Sequence, residues 1–175
     1  MTVELAREAL SDAAWKGTDV YSARLQVGPL SGRGPFQLIV SLPEIGTRLT
    51  LETEDDKPEW VVPVVRALSE LLTLSPDWDS YGAARIEPRS IGWALEALSW
   101  IMRNDTKVPT VVPTPDGGVQ LEWHTQGIDL EIEVSSVGRS FVTCYDRNQN
   151  AQWEGELRYN LNRLQDIIRR VSRRS

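Results

Sequence analysis

The chain has 175 residues, 25% of them charged, with a formal net charge of −6, a length that fits one large domain or two small packed ones. No apolar run approaches the roughly 18 residues of a membrane span, and the opening residues, with Glu4 and Glu8 among them, hold no hydrophobic leader core. The single cysteine, Cys144, leaves no internal disulfide and no cysteine-cluster metal site, and together these features predict a cytoplasmic protein in a reducing setting.

Taken in order, Val3, Ala6, Ala9, Leu10, Ala13 and Ala14 recur at helical spacing after Thr2, which predicts a helix over about 3–15. Tyr21 to Val27, Phe36 to Leu42 and Arg48 to Thr53 alternate as strands, with a Gly/Pro-rich loop from Gly28 and a turn over 43–46. A helix is predicted over about 63–74, with Val64, Val65, Leu68, Leu71 and Leu72 as its apolar stripe, and a second over about 88–103, opened by Pro88. Between them lies Pro-Asp-Trp-Asp-Ser-Tyr-Gly-Ala-Ala, residues 76–84. Its Asp77, Asp79, Ser80 and Gly82 are turn chemistry, while Trp78 and Tyr81 are large for a connector. The loop is read as a buried joint between the two helices, its rings drawn into the core; the alternative is an exposed binding platform.

Residues 108–115 are extended and marked by proline, which suits an edge strand, and Asp116-Gly117-Gly118 is a turn. The clearest strand signal follows: Val119, Leu121 and Trp123 alternate with Gln120, Glu122 and His124, and Ile128 to Val134 alternates likewise. A two-residue Gln126-Gly127 turn sets facing residue numbers to sum to 253, so Trp123 faces Leu130, Leu121 faces Ile132, His124 faces Asp129 and Glu122 faces Glu131. Two further strands, about 140–145 and 152–157, complete a meander with one wet face. A last helix over about 158–173 buries Leu161, Leu164, Ile167, Ile168 and Val171. The expected fold is α+β: two antiparallel β-meanders flanked by helices, α-βββ-α and α-βββ(β)-α, divided into lobes 1–75 and 76–175, or else one domain over 1–175.

Charge is unevenly placed. Residues 158–175 hold six Arg against Asp166, a local +5, leaving −11 on the remainder of a chain at −6. The wet face of the second sheet gathers Glu122, Asp129, Glu131 and Glu133. It reads as a solvated face, as a docking surface for basic side chains (the chain's own Arg-rich helix or a partner's), or as a metal or acid–base site built on Glu122, His124 and Glu131 with Asp77 or Asp79 nearby. The Arg-rich end, Arg163, Arg169, Arg170 and Arg173 in particular, suits an acidic protein surface better than nucleic acid, because the acidic body repels a phosphate backbone. No phosphate loop, dinucleotide fingerprint, His-Glu-x-x-His or nucleophile elbow is present, so no cofactor is expected.

Leu68 to Leu74, then Trp78-Asp-Ser-Tyr-Gly-Ala83, then Asp116-Gly-Gly-Val-Gln-Leu-Glu-Trp123 is a combination that resembles a group of uncharacterised small bacterial proteins. The resemblance covers about residues 64–146 and leaves 1–60 outside it. It implies a bacterial or phage origin and carries no catalytic residues across. The reading reached is a non-catalytic protein-binding or accessory protein, antitoxin- or inhibitor-like, with a metal-assisted hydrolase as the alternative.

Overall fold

A computed structural model describes residues 4–9, 24–27, 36–42, 47–53 and 58–172. Among the described residues, four strands precede the first helix: β1 (Glu4–Ala9), β2 (Arg24–Val27), β3 (Phe36–Leu42) and β4 (Thr47–Thr53). They pair antiparallel in the order β1-β4-β3-β2. β2 to β4 form the expected meander. The helix expected over 3–15 is overturned where it is described: residues 4–9 are extended and pair with β4, Leu5 opposite Leu51 and Arg7 opposite Leu49. A short alanine-containing window fits both periods, and a partner strand some forty residues away decides between them. Residues 10–15 and 21–23 lie outside the described residues.

Three helices and a second sheet follow. Helix α1 (Val61–Leu71) starts two residues before the expected position. Pro63 then falls in the first turn, where its missing N–H has no intrahelical acceptor to lose. Val61, Val64, Val65, Leu68 and Leu71 are buried along one stripe, the spacing of an amphipathic helix. Helix α2 (Pro88–Ile101) begins with proline at its first position and buries Ile91, Ala94, Leu95, Leu98 and Ile101.

The second sheet has the order β5 (Thr110–Pro113), β6 (Val119–Thr125), β7 (Ile128–Val134), β8 (Ser140–Asp146) and β9 (Ala151–Glu156), every neighbour antiparallel. A short 3-10 turn, Leu157–Tyr159, leads into α3 (Leu161–Ser172). The proposed β6–β7 register holds at all four pairs: Trp123 with Leu130, Leu121 with Ile132, His124 with Asp129 and Glu122 with Glu131. Gln126 and Gly127 both have positive φ, 52° and 74°, which is the twist a two-residue hairpin requires.

One face of this sheet carries Val119, Leu121, Trp123, Leu130, Ile132 and Val142, all buried. The buried stripes of α1, α2 and α3 belong to the same core. That core therefore runs across the position of Ser75. The helices cover the inner face, and the outer face is left to solvent.

Candidate functional site

Strand alternation sends Gln120, Glu122 and His124 outward from β6, and Asp129, Glu131 and Glu133 outward from β7. Register then aligns them across the sheet. Glu122, Glu131, Thr143 and Glu154 form one row; Gln120, Glu133, Phe141 and Glu156 a second; His124, Asp129, Tyr145 and Gln152 a third. The outer face thus holds six carboxylates in three rows. Phe141 is 42% exposed and Tyr145 39%, so two aromatic rings stand among them. The sequence reading singles out Glu122, Asp129, Glu131 and Glu133 but not these rings. The signal was present in β8, where Val142, Cys144 and Asp146 alternate with Phe141, Thr143 and Tyr145.

His124 sits between two of the carboxylates. Its Nδ1 is 3.0 Å from Asp129 Oδ1 and its Nε2 is 3.4 Å from Glu122 Oε2. Gln120 Nε2 donates to Glu122 Oε1 at 2.9 Å, and Arg147 Nη2 to Asp129 Oδ2 at 2.7 Å. The hydrogen bond with Asp129 raises the imidazole above its ordinary value, with Glu122 adding to the effect. The same hydrogen bond, and then that of Arg147, holds the Asp129 carboxyl below the usual range. Glu131 lies opposite Glu122 and joins neither contact. Among the described residues no three His, Cys, Asp or Glu side chains converge in a way that could hold a metal ion.

The Arg-rich helix does not lie on this face. Leu164, Ile167, Ile168 and Val171 bury α3 in the core on the opposite side of the sheet, so the helix itself does not dock on the acidic surface. Arg158, just ahead of it, does pair with one carboxylate of the outer rows, Glu156, at 2.7 Å. Arg170 reaches Asp146 at 2.5 Å, against side-chain exposures of 28% and 3%. Asp146 points inward like Cys144 before it, and its carboxyl is held below the usual range by Arg170 despite its burial. Arg163 stacks 4.5 Å over the Trp153 ring, and Arg169 pairs with Asp166 one turn back. Arg173 lies outside the described residues.

The 76–84 loop differs from the buried joint expected of it. Tyr81 is 93% exposed, which overturns its burial, and Trp78 is half-buried, its Nε1 donating to the Ala84 carbonyl at 3.2 Å. Drawing the loop into the core would bury the Asp77 and Asp79 carboxylates at a cost; at the surface they cap its backbone instead. Asp79 Oδ1 accepts from Tyr81 N and Ala83 N, and Asp77 Oδ1 from Gly82 N. Asp77, Ser80 and Gly82 have positive φ. The loop is also fastened to the Asp116-Gly117-Gly118 turn: Ala84 N donates to the Pro115 carbonyl at 2.8 Å, and Glu87 N and Ser90 Oγ to that of Gly117 at 2.9 and 3.1 Å. The two stretches that stood out in the sequence, some 35 residues apart, are thus neighbours in space.

Elsewhere, a groove of about 490 Å³ runs between α2 and the 138–140 and 156–158 segments, with Trp93 and Trp100 along one wall and Glu96, Glu156, Arg139 and Arg158 at its rim. Its charges balance. Among the described residues no helix is long and apolar enough to cross a membrane. Compared with known proteins, the chain matches no family model, no curated protein and no solved structure.

Proposed function

We propose that the protein is a non-catalytic binding protein whose acidic outer sheet face docks a basic protein partner. One observation carries this reading: Phe141 and Tyr145 stand exposed within the three rows of carboxylates on that face. Single exposed rings are ordinary on a protein surface. Two on one acidic face suit a recognition surface, because aromatic side chains supply contact area at low entropic cost while surrounding charge steers and orients the partner. A basic segment laid across β6 to β9 meets carboxylates in every row and rings for its aliphatic stems.

An accessory role of the antitoxin or inhibitor type, covering a basic surface of another protein, fits this design. The bacterial or phage setting implied by the sequence resemblance fits it as well. The hydrolase alternative gains no specific support, since both nitrogens of His124 are engaged with carboxylates on an open face.

The test uses an acetylated peptide rich in Lys, Arg and Leu as a probe, with calorimetry at low and physiological salt. Changing Glu131, Glu133 and Glu154 to Gln should weaken binding at least tenfold. Changing Glu96, Asp105 and Asp166 to their amides removes as much charge from other surfaces and should weaken it far less. Equal losses in the two variants, or no binding to the wild type, would overturn the reading.

A further inference from the structure

We propose that His124 is a proton-operated bridge that sets the charge presented by the outer sheet face. The inference deepens the acidic-face reading and rests on it for its effect on a partner. Both ring nitrogens of His124 face carboxylate oxygens, Nδ1 toward Asp129 and Nε2 toward Glu122. An ionised carboxylate has no proton to give, and a neutral imidazole has only one N–H. Only the imidazolium can donate in both directions, so this geometry belongs to the protonated ring.

Loss of the proton leaves one nitrogen lone pair against a carboxylate. The 3.4 Å contact to Glu122 is the longer of the two and is the one that opens. Glu122 then keeps only the amide of Gln120, while Asp129 keeps Arg147. The face gains a full negative charge, and that charge is concentrated at Glu122 beside Glu131. The other charged or titratable groups around the ring are Arg147, Lys107, whose Nζ donates to Thr125 Oγ1 at 3.0 Å, Glu131 opposite Glu122, and Tyr145, beyond Asp129 in the same row.

The chain contains a single histidine, so its imidazole proton resonances report this one site without assignment. A titration midpoint above about 6.5, the ordinary value, that returns to the ordinary value when both carboxylates are replaced (Glu122→Gln with Asp129→Asn), is the expected result. A midpoint at or below the ordinary value overturns the bridge. For the effect on binding, the acetylated basic peptide is titrated at pH 6.0 and pH 8.5 against the wild type and His124→Gln. Wild-type affinity should tighten with rising pH by about two- to fivefold, the range of a partly exposed charge pair, while the variant stays flat. If the peptide binds and both proteins respond alike to pH, the switch alone falls. If the peptide binds the wild type at neither pH, the acidic-face reading falls and takes the switch with it.

Discussion

Gly117 packs against the carbonyl of Arg85: a β-carbon added to Gly117 would stand 2.7 Å from that oxygen, and the residue has a φ of +86°. Gly82, in the loop on the other side of this junction, has a similar φ of +91° but open space around it. The pair separates backbone strain from steric closeness. Gly82→Ala should cost about 1 kcal/mol, the price of a left-handed conformation for an L-residue. Gly117→Ala adds overpacking against backbone and should cost about 3 kcal/mol. Urea unfolding of the two variants tests the difference, and equal losses would mean that the loop does not press on the turn.

Tyr81→Ala should leave stability within about 0.5 kcal/mol of wild type, as expected for a surface position, because the ring is 93% exposed. Trp123→Ala should cost about 4 kcal/mol, since Trp123 is 2% exposed and its Nε1 donates to the Lys107 carbonyl at 2.7 Å. Thermal melts of the two variants decide the matter, and a large loss at Tyr81 would restore the buried joint.

Asp146→Asn should destabilise by about 3 kcal/mol, because it leaves the Arg170 guanidinium without its buried partner. Adding Arg170→Met should recover part of that loss, as removing both members of a buried pair often does. The pH dependence follows from the lowered Asp146 carboxyl. Its contribution is fully present above the ordinary Asp value of about 3.9 and is lost as pH falls through the depressed folded value. Acid unfolding should therefore separate wild type from Asp146→Asn most at neutral pH, with the gap closing in acid.

The sign reverses at His124. Its folded-state proton affinity is raised, so its contribution is fully present below the ordinary value of about 6.5 and is lost as pH rises through the folded value. The urea midpoint of wild type relative to His124→Gln should fall between pH 6 and pH 8.5. A constant difference over that interval would show that the ring does not titrate against its carboxylates.

Much of this could be read in the residues, and for local reasons. The β6–β7 register follows from one two-residue turn and strict alternation, both contained within 16 residues. The acidic rows follow from the same alternation. What escaped was decided by distant partners or by side-chain satisfaction. Residues 4–9 become a strand because β4 offers them an edge. Tyr81 stays outside because it shares its loop with Asp77 and Asp79, whose carboxylates cap the loop's backbone donors and would be costly to carry into the core. Arg170 turns inward because Asp146 continues the inward alternation of β8, a pairing visible only once α3 is laid on that face.

Cys144 lies fully buried in β8, between β7 and β9 and beneath the helices, and burial pushes its thiol up. Being the only thiol in the chain, it is a natural chronometer for global opening. A thiol reagent at neutral pH can modify it only when helices and sheet separate, and local fraying of the loops leaves it silent. Its labelling rate reads the population of that open state when reclosing is fast. The clock needs no introduced probe, so every variant proposed above carries its own stability gauge.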